Sequence, residues 1–311
     1  MSESMIHTEQ LCRSFGTIKA VDGLSMDVPA GIVFGFLGSN GAGKTTTIHL
    51  LLGLVEPTQG KASVMGFDTR SQADEIRKKS GALLEFSGLY ERMSAEDNLD
   101  LYGRIYCIPG PERKARAKEL LTHFDLWDRR KEKVGNWSRG MKQKIAIARA
   151  LFHHPPLIFL DEPTAGLDPV AAAALRADLT RLVANEGVTV FLNTHNLAEA
   201  EKLCAQVGVI RKGKLLALGN PDELRLREGG HKIEIIGRGF DEKTLTLLRA
   251  RPEVKQAELR NGRLMMDVHG ESKIGPLVTL IVQCGAEIED ISRGGESLED
   301  LFLTLMQEED Q

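Results

Sequence analysis

The sequence has few aromatic residues, no closely spaced cysteines, no strong net charge and no long apolar run. Of its 311 residues 5% are aromatic, and the formal net charge is -4. Such a chain lacks the basic surface and the stacking rings with which proteins bind single-stranded nucleic acid. We therefore expect no nucleic-acid partner.

The cysteines and the apolar runs exclude further classes of protein. Cys12, Cys107, Cys204 and Cys284 are scattered without CxxC spacing, which favours reduced thiols in a cytosolic protein over a zinc or redox site. No apolar run approaches the roughly 20 residues that span a bilayer. The polar first residues lack the apolar core of a signal peptide, so we expect neither a membrane span nor a signal.

The composition, with 42% apolar and 27% charged residues, is that of a globular protein, and the length suggests two domains. Short apolar stretches broken by turns cover residues 5–37, and the pattern becomes helical and charged from about 86 to 152. Ser94 and Asp97 resemble a capping box that begins a helix. The other predicted elements are strands at 32–37, 157–160 and 188–192, helices at 48–52, 138–151 and 171–184, and a hairpin over 207–218.

The pattern changes after Pro221, and residues 228–230 resemble a linker. Asn261-Gly262 is a strong hairpin signal between two strands. The other predicted elements are strands at 232–236 and 286–291 and helices at 241–251, 273–284 and from Ser297 onward. The order βαββαβ predicts a ferredoxin-like module, and docking of the last helix on its own domain is favoured over membrane insertion.

The most specific motif follows the predicted strand at 32–37. Gly38, Gly43, Lys44 and Thr45 fit GxxxxGK[ST], between a strand and a helix. Glycines let backbone N–H groups converge on phosphate oxygens, and the helix N-terminus adds partial positive charge. In this motif the lysine contacts the β- and γ-phosphates and the threonine hydroxyl binds magnesium. The sequence therefore predicts a site for ATP and Mg²⁺.

A second motif ends the predicted strand at 157–160. Asp161 and Glu162 follow this strand, and the carboxyl end of a parallel strand borders the crevice where ligands bind. Beside a phosphate loop, Asp161 is suited to hold magnesium and Glu162 to act as the general base that activates water. The alternative is that Asp161 and Glu162 merely end a strand, and the presence of the phosphate loop makes that alternative the weaker one.

The stretch WSRGMKQK at residues 137–144 resembles the signature of ABC ATPases, in a variant seen among bacterial exporters. Residues 165–168 resemble the D-loop of that family, His195 its switch histidine, and Phe15 its adenine-stacking aromatic. These motifs occur in the family's order over about residues 5–225. On them the chain is identified as a member of the ABC ATPase family.

The resemblance implies a role for each motif. Ser138 and Gly140 would begin a helix whose amides face the γ-phosphate of ATP held by an opposite subunit. His195 would hydrogen-bond the γ-phosphate and report its presence, with a capping or core histidine as the alternative. Phe15 would stack on adenine, although an aromatic in a strand is often a core residue.

Three sets of site residues follow. The expected catalytic residues are Lys44, Glu162 and His195. The expected magnesium ligands are Thr45, Glu85 and Asp161. The expected nucleotide-binding residues are Phe15, Gly38, Ser39, Asn40, Gly41, Ala42, Gly43, Lys44, Thr45, Thr46, Glu85, Ser138, Gly140 and Asp168.

The chain departs from the family's pattern in two places. Glu85 stands where the family has the Q-loop glutamine, and an ionised carboxylate can bind metal but cannot donate a hydrogen bond. Arg139 and Met141 stand in the signature where the commoner form has Gly and Gln. Arg139 could add positive charge near the nucleotide, and a solvated surface arginine is an equal alternative.

The resemblance implies an α/β fold: a P-loop ABC ATPase core with an antiparallel β flap and a helical insertion, within a domain at residues 1–227. A ferredoxin-like α+β domain at 228–311 resembles the tails of drug, antibiotic, polysaccharide and sodium exporters. The implied function is ATP hydrolysis that powers an exporter, through dimerisation with a second ATP-binding subunit.

The implied partner is a separately encoded membrane-spanning permease, which places the chain peripherally on the cytoplasmic face of the membrane. A soluble ABC ATPase acting on nucleic acid or ribosomes is the alternative. Such proteins usually carry two cassettes or a long coiled coil, and this chain has neither. A regulatory module that binds ATP without hydrolysing it is disfavoured by Glu162 and His195.

Overall fold

The computed structural model describes residues 4–85, 87–228, 231–260, 262–269 and 274–292. The chain divides into two compact units, Met1–Gly219 and Asn220–Gln311, each with its own hydrophobic core. Of the predicted linker at 228–230, Glu228 ends a helix and residues 229–230 lie outside the described residues, as do the turn residue Asn261 and the predicted helix from Ser297.

The first unit alternates strands and helices. In chain order its elements are β1 (Ser4–Phe15), β2 (Ile18–Pro29), β3 (Val33–Leu37), α1 (Lys44–Leu51), β4 (Gln59–Val64), β5 (Phe67–Asp68), α2 (Ala73–Lys79), β6 (Ser80–Leu83), α3 (Ala95–Ile105), α4 (Gly110–His123), α5 (Arg139–Ala150), β7 (Leu157–Asp161), α6 (Pro169–Glu186), β8 (Thr189–Thr194), α7 (Leu197–Leu203), β9 (Gln206–Arg211) and β10 (Lys214–Gly219).

The central sheet of this unit has the strand order β10-β9-β3-β8-β7-β6. The pairs along β9-β3-β8-β7-β6 are parallel, and β10 joins β9 as an antiparallel hairpin partner. Every residue of β3 and β8 is buried, as expected for strands covered on both faces. Because β3, β8 and β7 are neighbours, their carboxyl ends meet at one edge of the sheet.

Aromatic packing holds these three strands together. The ring of Phe191 in β8 lies 5.3 Å from that of Phe34, 5.5 Å from that of Phe36 and 5.6 Å from that of Phe159, measured between ring centroids. All four rings are fully buried. This cluster fixes the relative positions of the three strand ends.

A second sheet of this unit is antiparallel, with the order β2-β1-β4-β5. The predicted flap is therefore present, but the 12-residue strands β1 and β2 are longer than the short stretches expected from the sequence. Bulges explain the difference, because register shifts interrupt the apolar alternation of β1 and Gln10 has a positive φ of 45°.

Helices α3, α4 and α5 confirm the predicted helical insertion. The Ser94 hydroxyl accepts a hydrogen bond from the Asp97 amide and so caps α3, and Pro111 lies in the first turn of α4. Ser138 caps α5 in the same way, through the Met141 amide. The predicted helix at 171–184 is longer, since α6 begins at Pro169 after its cap Asp168.

The second unit contains α8 (Pro221–Glu228), β11 (His231–Arg238), α9 (Glu242–Arg249), β12 (Val254–Arg260), β13 (Arg263–Val268), α10 (Ile274–Gln283) and β14 (Glu287–Ser292). Its sheet is antiparallel throughout, with the strand order β12-β13-β11-β14. The elements from β11 to β14 follow the predicted order βαββαβ. Across the described ranges of both units, none of the helices has the length and apolar character needed to cross a membrane.

Candidate active site

The glycine loop connects β3 to α1 at the edge where the strand ends meet. A Cβ atom added at Gly38 would overlap the carbonyl oxygen of Ile210, and one added at Gly43 would overlap that of Ala20. Gly43 also has a φ of 110°. Glycine is therefore required at both positions, because the loop lies directly against the backbone of neighbouring segments.

Lys44 is the first residue of α1, and its side chain is buried. Its Nζ donates hydrogen bonds to the carbonyl oxygens of Gly38 (2.7 Å) and Ser39 (3.3 Å). Burial lowers the pKa of the ammonium, and the neighbouring Glu162 and Asp161 carboxylates act in the opposite direction. The loop's own carbonyls thus hold the cationic head group at the loop.

Thr45 and Asp161 meet across the sheet edge. The Thr45 hydroxyl donates to Asp161 Oδ2 at 2.8 Å, and Asn193 Nδ2 donates to Asp161 Oδ1 at 3.2 Å. Asp161 and Asn193 are direct neighbours in the β7–β8 register. Both oxygens of the Asp161 carboxylate are therefore oriented by side chains from adjacent elements.

Glu162 follows β7 in a left-handed conformation with φ 50°. Its amide donates to the Asn193 carbonyl at 3.0 Å, which fixes this bend. Its Oε2 lies 2.8 Å from His195 Nδ1, and Oε1 lies 3.7 Å from Lys44 Nζ. Buried Oε1 accepts no hydrogen bond from the described residues, so it is an acceptor available to a bound molecule.

Two clefts adjoin these groups. The first, of about 420 Å³, lies over the glycine loop and is lined by Ile18, Lys19, Ala20, Asn40, Gly41, Gly43, Lys44, Thr45, Thr46, Asp161, Glu162 and Lys212. The second, of about 570 Å³, is lined by Thr45, Leu83, Leu84, Glu85, Ser87, Arg139, Lys142, Gln143, Asp161, Glu162 and Ala165. Glu85 is exposed there, two residues after β6. Both clefts share Thr45, Asp161 and Glu162.

Phe15 is placed differently from the other predicted residues. It ends β1 and is 47% exposed, with the Arg13 guanidinium 4.5 Å from its ring centroid. It is not among the residues that line the first cleft, where Ile18 provides an apolar side chain instead. Phe15 is not a core residue, and a contact with adenine would require its ring to face the cleft.

Ser138, Gly140 and Asp168 lie at the starts of two helices. Ser138 is exposed at the start of α5. Asp168 caps α6 by accepting hydrogen bonds from the amides of Val170 (3.0 Å) and Ala171 (2.9 Å). None of the three lines the cleft over the glycine loop. The structure therefore does not bring them to this subunit's own phosphate loop.

Two contributions to the site are missing from the sequence-based set. Asn193 orients Asp161, and its position at the end of a predicted strand was the available signal. The Lys212-Gly213 turn supports the glycine loop, because the Gly213 amide donates to the Ala42 carbonyl at 2.9 Å. The sequence predicts the hairpin over 207–218 that contains this turn, but the contact of the turn with the glycine loop depends on strand order.

The donor set fits magnesium with a nucleotide. Among the described residues no group of three or more His, Cys, Asp or Glu is arranged to hold a metal alone. Thr45 and Asp161 supply two oxygen ligands, and a direct hydrogen bond joins the two side chains. Magnesium is usually held by one or two carboxylates together with substrate phosphates, so this sparse set suits Mg-ATP.

A glycine loop that begins a helix, beside an acidic strand end on a parallel sheet, defines a P-loop nucleoside triphosphatase. The sequence profile described as "ABC transporter" matches residues 21–165. The bacitracin transport ATP-binding protein BcrA of Bacillus licheniformis is 35% identical over 97% of both chains. The daunorubicin resistance ATP-binding protein DrrA3 of Streptomyces coeruleorubidus is 34% identical over 98% of this chain and 96% of its own.

Solved structures of ATP-binding cassettes are also similar to this chain. The ATP-binding cassette MJ0796, in a dimeric post-hydrolysis state bound to ADP and Pi, has a TM-score of 0.62 and 26% identity, covering 70% of this chain and 98% of its own. The chain belongs to the ABC transporter family. It is an ATP-binding ATPase of that family and uses ATP with Mg²⁺.

Proposed function

We propose that the chain is the ATP-hydrolysing subunit of an exporter, paired with a second ATP-binding subunit and with a separate membrane-spanning permease. The observation that carries the proposal is the position of Glu162: its Oε1 lies beside the Lys44 ammonium without accepting a hydrogen bond from the described residues, while Oε2 contacts His195. The relatives named for bacitracin transport and daunorubicin resistance support the exporter class.

ATP binding begins at the glycine loop. The amides at residues 38–46 and the Lys44 ammonium neutralise the β- and γ-phosphates, which compete with the Gly38 and Ser39 carbonyls for the lysine. Thr45 and Asp161 would hold magnesium, with Glu85 in the lining of the adjoining cleft, and the bound metal would supply charge neutralisation at the phosphates. Phe15 or Ile18 covers the adenine from the hairpin between β1 and β2.

Closure requires a second subunit. Ser138 is exposed and Gly140 half-buried at the start of α5, and neither lines this chain's own phosphate cleft. A helix start attracts anions, so these residues are suited to face the γ-phosphate of ATP held by the second subunit. The dimeric form of the solved cassette supports this arrangement. Asp168 lies beside the same surface at the start of α6.

Hydrolysis follows from the position of the base. Glu162 Oε1 accepts a proton from a water molecule that attacks the γ-phosphate in line, while His195 orients the carboxylate and contacts the same phosphate. Cleavage removes negative charge that held the two subunits together, and the dimer opens. The permease docks near residues 85–93 on the cytoplasmic face of the membrane and converts this cycle into transport.

For the domain organisation we propose an ATP-binding domain at residues 1–227 and an accessory domain at 228–311. The accessory domain has a ferredoxin-like fold. Its element order and its antiparallel strand order β12-β13-β11-β14 support this assignment, since the first strand lies between the third and the fourth. The compact units divide slightly earlier, ahead of α8.

Co-purification with a membrane chain tests the exporter proposal. The tagged full chain is expressed with the membrane protein encoded beside it, isolated in detergent and assayed for phosphate release with candidate peptide antibiotics and anthracyclines. We expect a stable complex whose hydrolysis rises with a transported compound. An active ATPase that binds no membrane chain and instead co-purifies with ribosomes or nucleic acid would contradict the exporter role.

A further inference from the structure

The guanidinium group of Arg139 covers Gly166, although the two residues are far apart in sequence. A Cβ atom added at Gly166 would lie 2.5 Å from Arg139 Cζ and 2.9 Å from Nη2. The guanidinium therefore occupies the space into which a side chain at residue 166 would project. Gly166 has a φ of 69°, a backbone conformation that favours glycine, and a side chain at this position would also displace the guanidinium.

The first turns of α5 and α6 also pack together beside this contact. A Cβ atom at Gly140 would lie 3.4 Å from Ala171 Cβ and 3.9 Å from Leu167 Cδ2, which are ordinary packing distances. Within the described part of the chain Arg139 makes no salt bridge. This exposed arginine therefore lies against the Gly166 backbone and has no acidic partner among the described residues.

The Gly166 turn leads directly back to the proposed base. The Ala165 amide donates to the Glu162 carbonyl at 3.1 Å, and the Leu167 amide donates to the Thr164 carbonyl at 3.1 Å. These successive short-range bonds make residues 162–167 one tight loop that begins at Glu162. A displacement of Gly166 is therefore transmitted to Glu162 through a few bonds.

We propose that Arg139 is a positioning residue that holds the 162–167 loop, so that what binds at the start of α5 sets the position of the same subunit's Glu162. This inference rests on the proposed dimer, in which the start of α5 contacts nucleotide held by the second subunit. Arg139 then links the two ATP sites of the dimer through one chain.

Steady-state hydrolysis by the full chain tests this link. For Arg139→Ala we expect kcat to fall about tenfold, with KM changed less than about twofold and the Hill coefficient for ATP reduced toward one. Arg139→Lys should not restore kcat, because an ammonium on a flexible stem cannot cover a backbone surface as a planar guanidinium does. Full restoration by lysine would show that charge alone matters and would overturn the proposal.

A double-mutant cycle and hydrogen exchange distinguish a positioning role of Arg139 from a general disturbance of the structure. Gly166→Ala should lower kcat strongly in the wild-type background. It should lower kcat clearly less in the Arg139→Ala background, where the added Cβ displaces no guanidinium. The amides of Ala165 and Leu167 should exchange faster in Arg139→Ala, even without nucleotide. Additive effects in the cycle together with unchanged exchange would refute the contact.

Controls distinguish this inference from the function on which it rests. Arg104→Ala removes an exposed arginine of α3 paired with Asp100 and should leave kcat, Hill coefficient and exchange unchanged. A wild-type chain that neither hydrolyses ATP nor dimerises would refute the proposed function, and the exchange experiment would still test the loop contact. Wild-type hydrolysis and cooperativity in Arg139→Ala would refute the inference alone.

Discussion

The two halves of the candidate site differ in how many internal partners their polar groups have. In the phosphate-loop half, Lys44, Thr45 and Glu162 are each tied to other groups of the same chain. In the α5 half, the exposed Ser138 side chain bonds only the Met141 amide of its own helix, and Arg139 makes no salt bridge, among the described residues. The first half is organised within one chain, whereas the second presents a helix start to a second molecule.

The largest expected effect is in the first half, at the proposed base. Glu162→Gln keeps the shape of the side chain but cannot accept the proton, so phosphate release should fall about 10²- to 10⁴-fold. ATP binding should persist and trap a dimer, seen as an ATP-dependent shift in sedimentation. Glu223→Gln, on α8, is the control and should hydrolyse normally. Normal turnover by Glu162→Gln would remove Glu162 from the mechanism.

In the second half, a carboxylate placed at the start of α5 should prevent closure. Gly140→Asp sets a negative charge against the triphosphate, and we expect ATP-driven dimerisation to weaken by at least about 100-fold. Binding of ATP to the monomer should not change. Gly140→Ala is the matched control, since a Cβ fits there at 3.4 Å from Ala171. If Gly140→Asp instead weakened the binding of ATP by the monomer, the two halves of the site would not have separate roles.

At the phosphate loop we expect a substitution to weaken the binding of ATP by the monomer itself. Lys44→Ala removes charge-assisted contacts with the phosphates and should weaken ATP binding by the monomer about 10- to 100-fold. Isothermal titration of ATP with Mg²⁺ measures this, and Lys61→Ala, at an exposed lysine of β4, is the control. Unchanged ATP affinity in Lys44→Ala would count against the loop as the binding site.

A smaller effect should appear outside both halves. Burial lowers the pKa of His153 from 6.5 to about 4, and its ring stacks on Tyr106 with centroids 3.9 Å apart. Between these pH values the unfolded chain binds a proton that the folded chain does not, so stability falls as pH drops from 6.5 to 4. We expect this loss to be about 1–2 kcal/mol.

Urea unfolding at pH 7 and pH 4.5 measures this loss of stability on acidification. His153→Gln should lose less stability on acidification than the wild type, whereas the exposed neighbour His154→Gln should behave like the wild type. An identical pH dependence for wild type and His153→Gln would show that another group is responsible.

The sequence predicts the phosphate loop and the acidic strand end because each depends on a short segment. Gly38–Lys44 spacing and the apolar run before Asp161 are local signals. Contacts that depend on strand order were not predictable: Asn193 reaches Asp161 only because β8 lies beside β7, and the Gly213 amide reaches Ala42 only because β9 lies beside β3. The contact of Arg139 with Gly166 joins the start of α5 to the loop ahead of α6 and likewise has no sequence signal.

The roles of the two halves can be tested together with hybrids. Subunits carrying Lys44→Ala and subunits carrying Gly140→Asp, each also with Glu162→Gln to prevent turnover, are mixed with ATP and Mg²⁺ and followed by sedimentation velocity. Neither variant should associate alone, but the mixture should form a dimer because it holds one complete site built from both chains. A mixture that stays monomeric, or a single variant that dimerises with ATP unaided, would contradict the shared site.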